Sequence, residues 1–144
     1  MIPQTTPDAA AEILRKNPDA TYLDVRTVEE FEAGHATGAC NIPVVFFDAA
    51  RKPVPNPDFE QVAKAAFAKD KKLIVGCQAG MRSQRACEIL QRLGFVDVTN
   101  LQGGFGGARG PGGQITVQGW KACGLPVESG NCPGASYEDL KKRA

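Results

Sequence analysis

Leu73-Ile74-Val75-Gly76-Cys77-Gln78-Ala79-Gly80-Met81-Arg82-Ser83 runs from an apolar stretch through a thiol and a glycine into a segment of helical periodicity. The run from Lys72 to Gly76 is apolar enough to read as a strand buried on both faces, as in a parallel sheet. After it, Ala86, Ile89, Leu90 and Leu93 recur at helical spacing and Gly94 supplies a C-terminal cap, which predicts a helix from about residue 82 to 93. Cys77 therefore stands at the carboxyl end of a strand, where open α/β sheets place their sites. Unpaired N–H groups at a helix start, together with the helix dipole, favour an anion or a thiolate. With Arg82 nearby, Cys77 is expected to ionise more readily than a free thiol. Gly80 permits the positive φ that turns successive amides inward into an anion-binding nest. Arg82 adds a forked, permanently charged donor suited to a tetrahedral oxyanion. Ser83 is a hydroxyl donor to the sulfur or a cap for the helix. The competing reading of Cys77 is a buried, inert cysteine.

Working outward, the rest of the chain alternates helices and strands. Thr6-Pro7-Asp8 signals a helix start, with Ala10, Ile13 and Leu14 as its apolar face over about residues 7–16. A short strand at 21–25 precedes Thr27-Val28-Glu29-Glu30, a capping box that opens a helix ended by Gly34. Residues 40–42 read as a second strand and Phe47 to Pro57 as a surface loop. Asn56-Pro57-Asp58 starts another helix, with Phe59, Val62, Ala63, Ala66 and Phe67 as its buried stripe. A fourth strand begins at Val96-Asp97-Val98. The stretch Gly103 to Gly113 reads as a mobile loop able to border the Cys77 pocket, because its glycine spacing is not followed by a helix and no Gly-Lys-Ser/Thr occurs. Trp120 and Leu125-Pro126 look like a closing hydrophobic clasp, and Tyr137 to Lys142 like a terminal helix. Such alternation predicts an α/β fold with a central, largely parallel sheet flanked by helices.

A chain of 144 residues is the size of one domain and can bury a core without staples. Its 17 basic and 16 acidic residues leave a formal charge of +1, which gives no global electrostatic reason to expect nucleic acid or an anionic membrane as partner. No stretch approaches the roughly 18 apolar residues of a membrane helix, and the first residues lack a signal-peptide pattern, so a cytoplasmic protein is expected. Five cysteines with no C-x-x-C pair and one histidine, His35, argue against zinc, since a metal cluster would need assembly from scattered thiols. No metal and no cofactor are predicted. Cys87 reads as core. Cys123 and Cys132 are candidates for a disulfide, for accessory thiols, or for no role.

Taken together, these segments resemble the rhodanese (sulfurtransferase) family. Leu23-Asp24-Val25-Arg26, Glu30-Phe31, Gly34-His35-Ala36-Thr37-Gly38-Ala39 and Asn41-Ile42-Pro43 look like its N-terminal signature, and Cys77 to Ser83 like its catalytic loop. Leu101-Gln102-Gly103-Gly104-Phe105, Gly119-Trp120 and Gly124-Leu125-Pro126 resemble its C-terminal half. The resemblance implies one three-layer rhodanese-like domain over residues 1–144, with a core of about 5–128 and an extension from about 129. It implies double displacement: Cys77 takes the outer sulfur of a small anionic donor such as thiosulfate, releases sulfite, and passes the sulfur to cyanide, a thiol or a protein acceptor. The amides of Gln78, Ala79, Gly80, Met81 and Arg82 would cradle the persulfide. Asp24 and Arg26 are expected to form a structural ion pair and His35 to hydrogen-bond. No general base is needed, since an ionised thiol attacks sulfur directly.

Two other readings compete. Cysteine phosphatases and arsenate reductases also set a thiolate and an arginine around an anion-binding turn, but only four residues separate Cys77 from Arg82, which makes a six-residue loop sized for one sulfur. A persulfide carrier or regulatory module acting only with a protein partner is the other. Gln78 and Met81 leave the loop with no charge besides Arg82. Arg85, one turn along, and Arg109, in the glycine-rich stretch, are further candidate anion contacts, Arg85 with a solvated helix face as its competing role.

Overall fold

The apolar run before Cys77 is the middle strand of a five-stranded sheet, and every residue of Leu73–Gly76 is buried. The computed structural model describes residues 1–144. In chain order its first elements are β1 (Gln4–Thr5), α1 (Pro7–Lys16), β2 (Thr21–Asp24), α2 (Val28–Ala33), β3 (His35–Ala36) and β4 (Cys40–Asn41). Then come β5 (Val45–Phe47), β6 (Pro53–Pro55), α3 (Phe59–Ala66), β7 (Leu73–Gly76) and α4 (Met81–Arg92). The chain ends with β8 (Val98–Leu101), β9 (Ala108–Arg109), β10 (Ile115–Val117), β11 (Val127–Glu128) and α5 (Tyr137–Lys142).

The main sheet has the order β1-β8-β7-β2-β4, and every pairing in it is parallel. Successive side chains of a strand point to opposite faces. Leu23, Val25, Leu73 and Val75 therefore pack to one side with Val62 and Ala63 of α3, Ala86 and Leu90 of α4 and Leu140 of α5. Tyr22 and Ile74 pack to the other with Ala10 of α1, Phe31 of α2, Phe105 and Trp120. The result is the α/β arrangement that the alternation implied, in the three layers that the family resemblance implied. Tyr137 and Leu140 are buried in the first of these cores, so the segment beyond residue 128 is packed into the domain.

Local signals act as expected at α2, where the Thr27 hydroxyl accepts from Glu30 N–H and the Glu30 carboxylate accepts from Thr27 N–H. At α1, Pro7 occupies the first turn, but Thr6 makes no capping bond with its side chain. The clasp is present: Trp120 Nε1 donates to Pro126 O at 2.8 Å and the indole meets the Tyr22 ring edge-on at 5.3 Å.

Two loop expectations are corrected. Residues 47–57 are not a plain loop, because β5 and β6 form an antiparallel hairpin pairing Val45 with Pro55 and Phe47 with Pro53. Asp48 Oδ1 ties its turn by accepting from the N–H groups of Ala50 and Lys52. Prolines hid this strand, since they cannot donate to a ladder and are tolerated only at an edge. The glycine-rich stretch is likewise not a free loop. Its first half is pinned to the Cys77 turn, with Phe105 N–H donating to Cys77 O at 2.8 Å and Gly106 N–H to Gln78 O at 2.9 Å, and its second half forms the β9–β10 hairpin. Gly104, at φ +52°, lies so close that a Cβ there would collide with the Cys77 carbonyl.

Candidate active site

Cys77 leaves the carboxyl end of β7 and is 2% exposed. Its Sγ accepts from Gly80 N–H at 3.1 Å and from Ser83 N–H at 3.4 Å, at the amino end of α4. Gly80, at φ +117°, is the residue whose left-handed conformation allows this turn. The N–H groups of Gln78, Ala79, Met81 and Arg82 meet no carbonyl. Two N–H groups of the turn thus meet on Sγ, and four more are unspent around them in sequence.

Ser83 is buried and lies 3.4 Å from Sγ, yet its hydroxyl proton has a nearer acceptor, Asn100 Oδ1. Either the Ser83 hydroxyl or the Cys77 thiol can donate across the 3.4 Å between them, and the Ser83 backbone N–H donates to the same sulfur. Asn100 is held in turn by Gln4 Oε1, which accepts from Asn100 Nδ2 at 2.8 Å. Sequence reasoning missed Asn100. The signal was a polar residue in β8 in register with Val75, two positions before Cys77.

Arg82 is the larger correction. Its guanidinium is not free for an oxyanion but clamps the Glu30 carboxylate in a fork, NH1 to Oε1 at 2.8 Å and NH2 to Oε2 at 3.0 Å, and lies 5.3 Å from the centre of the Phe47 ring. Burial alone would raise the Glu30 pKa, but hydrogen bonds and charge from Arg82, with bonds from Thr27, outweigh it and leave the carboxyl below its usual value. Glu30 was legible as a capping-box residue and as part of the N-terminal signature, not as a partner of Arg82. Its second oxygen and its charge serve Arg82.

Asp24 and Arg26 form the expected buried ion pair, with Arg26 NH2 donating to Asp24 Oδ2 at 2.7 Å and side chains 1% and 3% exposed. Arg26 also donates to Gly34 O at 2.7 Å and to Gln78 Oε1 at 3.3 Å, and its guanidinium sits 4.5 Å over the Phe105 ring. The pair thus steadies the first side chain of the Cys77 turn. A cleft of about 660 Å³ opens here, bordered by Arg26, Glu30, Gln78, Phe105, Lys121 and Glu128. Gln78, next to Cys77 in the chain, lines the cleft, and Cys77 itself does not. Lys121, absent from the sequence reading, borders the cleft and makes no salt bridge.

The Met81 and Arg85 side chains are exposed and, with Arg82 and Phe47, border a second cavity of about 410 Å³. Arg109 donates to Gly113 O at 2.8 Å inside its own hairpin and does not reach the cleft, which removes it as an anion contact. Cys87 is buried in the core, which pushes its thiol up to about 12. Cys123 and Cys132 are free thiols. His35 is fully buried and hydrogen-bonded, as expected, but away from the Cys77 turn: Nδ1 is 2.6 Å from Phe31 O and Nε2 is 3.3 Å from Glu128 Oε2. Cys132 joins it there, so the fold does gather a His/Glu/Cys group from scattered positions.

An α/β domain with a cysteine at a strand-to-helix turn is the class of protein that fold and site define. Residues 6–109 match the Rhodanese-like domain, and the chain belongs to that family. It is 38% identical over 108 residues to "Thiosulfate sulfurtransferase 16, chloroplastic" of Arabidopsis thaliana, covering 75% of this chain and 79% of that one. It is 47% identical over 85 residues to "Protein HIGH ARSENIC CONTENT 1, mitochondrial" of the same plant, covering 58% and 49%. The chain spans about half the length of several curated relatives it matches. Among solved structures, Rv0390 from M. tuberculosis superposes with a TM-score of 0.72 at 26% identity, covering 88% of this chain and 97% of that one. No helix is long and apolar enough to cross a membrane.

Proposed function

We propose that this member of the sulfurtransferase family moves a sulfane sulfur from thiosulfate, or a related small anionic donor, through a persulfide on Cys77. The Cys77 thiolate attacks the outer sulfur of the donor. A new S–S bond forms at Sγ, the old one breaks, and sulfite leaves with its electron pair. Cyanide or a thiolate acceptor then attacks the terminal sulfur, leaving as thiocyanate or a new persulfide and restoring the thiolate. The carrying observation is the set of amides in the turn: Gly80 and Ser83 N–H groups already on Sγ, and those of Gln78, Ala79, Met81 and Arg82 unspent. Preorganised donors of this kind contribute about 2 to 4 kcal/mol each to transition-state charge stabilisation.

The relative named as a thiosulfate sulfurtransferase supports that donor. The Arg82–Glu30 clamp weighs the other way for affinity, because it leaves Lys121 as the cation at the cleft free of a carboxylate partner. The test is intact mass after incubation with thiosulfate. One added sulfur mapped to Cys77, absent in Cys77→Ser, supports the proposal, and a persulfide on any other thiol overturns it.

A second reading rests on the relative named for arsenic content, at 47% identity over 85 residues. Arsenate is a tetrahedral anion that the same turn would have to hold. Arsenate turnover by Cys77 exceeding sulfur transfer would favour it.

A further inference from the structure

We propose that His35, Glu128 and Cys132 form a binding site for a divalent transition cation of the zinc type, separate from the Cys77 turn. β3 and β11 pair antiparallel with His35 directly opposite Glu128, and the chain returns Cys132 to the same point. The three donor atoms are mutually close: Nε2 to Oε2 3.3 Å, Sγ to Nε2 3.4 Å and Sγ to Oε2 3.5 Å. With zinc bonds of about 2.0 to 2.1 Å to nitrogen and oxygen and about 2.3 Å to sulfur, a tetrahedral face has edges of about 3.3 Å between N and O and about 3.5 Å from S to either. The observed triangle has the size of that face.

The ring is held in the tautomer a metal needs. Nδ1 lies 2.6 Å from the Phe31 carbonyl, which can only accept, so Nδ1 carries a proton and Nε2 is the ring atom left to face Glu128 and Cys132. A histidine that ligates through one nitrogen while its other N–H is fixed to a carbonyl is the usual supporting arrangement at metal sites. Stacking on the Phe31 ring, centroids 3.6 Å apart and planes 2° from parallel, fixes the ring plane. Gly38 N–H donates to Glu128 Oε2 at 3.1 Å and orients the carboxylate. Without a cation, the imidazole, the carboxylate and the thiol hydrogen-bond among themselves. With one, the charges of Cys132 thiolate, Glu128 and a divalent ion cancel, and the thiol proton passes to solvent.

One nitrogen, one sulfur and one oxygen suit zinc and not the hard cations that take oxygen alone. His35 is fully buried while Glu128 is 36% exposed at its side chain, so the fourth position faces solvent and takes water. Glu128 and Cys132 lie beyond the residues that match the family, so the ion would staple this chain's C-terminal segment to its sheet.

The test titrates the full-length protein with Co²⁺ as a spectroscopic probe and with Zn²⁺ in competition. One equivalent is expected, with a thiolate-to-cobalt charge-transfer band that persists in Cys77→Ser and is lost in Cys132→Ser. Zinc affinity should fall by about 100-fold or more in Cys132→Ser. Zinc should also raise hydrogen-exchange protection over residues 127–136 in the unmutated chain. Absence of stoichiometric binding, or a band that follows Cys77 instead of Cys132, overturns the proposal and leaves a hydrogen-bonded triad.

Discussion

Cys77 takes its partners from its own turn, whereas Cys132 meets His35 from 97 residues away and Glu128 from four. Around Cys77 the nearest donors are backbone N–H groups, fixed by chain geometry and pointing at the sulfur. Around Cys132 there is an imidazole and a carboxylate, and its thiol is pushed up by desolvation and then by Glu128. The first environment aims N–H donors at the sulfur. The second disfavours a bare thiolate and suits a sulfur that shares its charge with a cation. Two free thiols in one small domain are thus set for different chemistry by what surrounds them.

The sharpest way to break this comparison is to exchange the thiols for hydroxyls one at a time. Cys77→Ser should lower sulfite release from thiosulfate in the presence of cyanide on the order of 10³-fold or more, since a serine hydroxyl in that turn cannot carry the sulfur. Cys132→Ser should leave turnover within about twofold. A comparable loss in both would show that the two sites act together and the division is false.

A second test asks how much the pinned glycine stretch matters to the turn. In Gly104→Ala the new Cβ would meet the carbonyls of Cys77 and Gln78, and the residue would be held at φ +52°. Misplacement of a reacting atom by about 1 Å can cost about 10²-fold. Turnover per folded molecule should fall by about 10- to 100-fold, measured alongside circular dichroism to count folded protein. Unchanged turnover would mean that the turn holds its shape without Phe105 and Gly106.

What was legible in the chain follows the same division. Strands β2, β4 and β7, the helix after Cys77 and the α2 capping box depend on neighbours in sequence and stand within a residue of their patterns, whereas the two-residue β1 carried no pattern and β8 starts at Val98, two residues after its expected start. The Asp24–Arg26 pair is two residues apart and was equally readable. Asn100 behind Ser83 and Glu30 on Arg82 are joined by tertiary convergence, over separations of 17 and 52 residues, and carry no local signal of their partners. The hairpin of β5 and β6 was hidden for a different reason: Pro53 and Pro55 read as loop, and only a strand already at an edge lets them pair. The glycines from 103 to 107 read as freedom, whereas Gly104 and Gly106 serve close approach to Cys77 and Gln78, and Gly103 and Gly107 close approach to the Val117–Gln118 segment.

Glu30→Gln sharpens the account of the cleft. Gln keeps the capping-box acceptor of α2 but removes the charge that occupies Arg82. A freed guanidinium should then attract the donor dianion, lowering KM for thiosulfate by about fivefold, the scale of an ion pair worth about 1 kcal/mol. Lys121→Ala should act in the opposite direction and by less. A KM unmoved by Glu30→Gln would show that Arg82 is out of the donor's reach whether clamped or not.

The smallest effect expected is on stability in acid. Glu30 has its folded pKa below the ordinary 4.5, so its contribution is complete above that value and is lost as pH falls through the lower folded pKa. Protonation of the carboxyl breaks the fork with Arg82, and the side chains are 20% and 31% exposed, so solvent already screens the pair. The pair should therefore contribute under about 1 kcal/mol. Urea midpoints measured from pH 6 down to pH 3 should decline more steeply in the unmutated protein than in Glu30→Gln, with the two curves converging at the acid end. Parallel curves would mean that the fork adds nothing to the fold and serves only to keep a positive charge occupied beside the Cys77 turn.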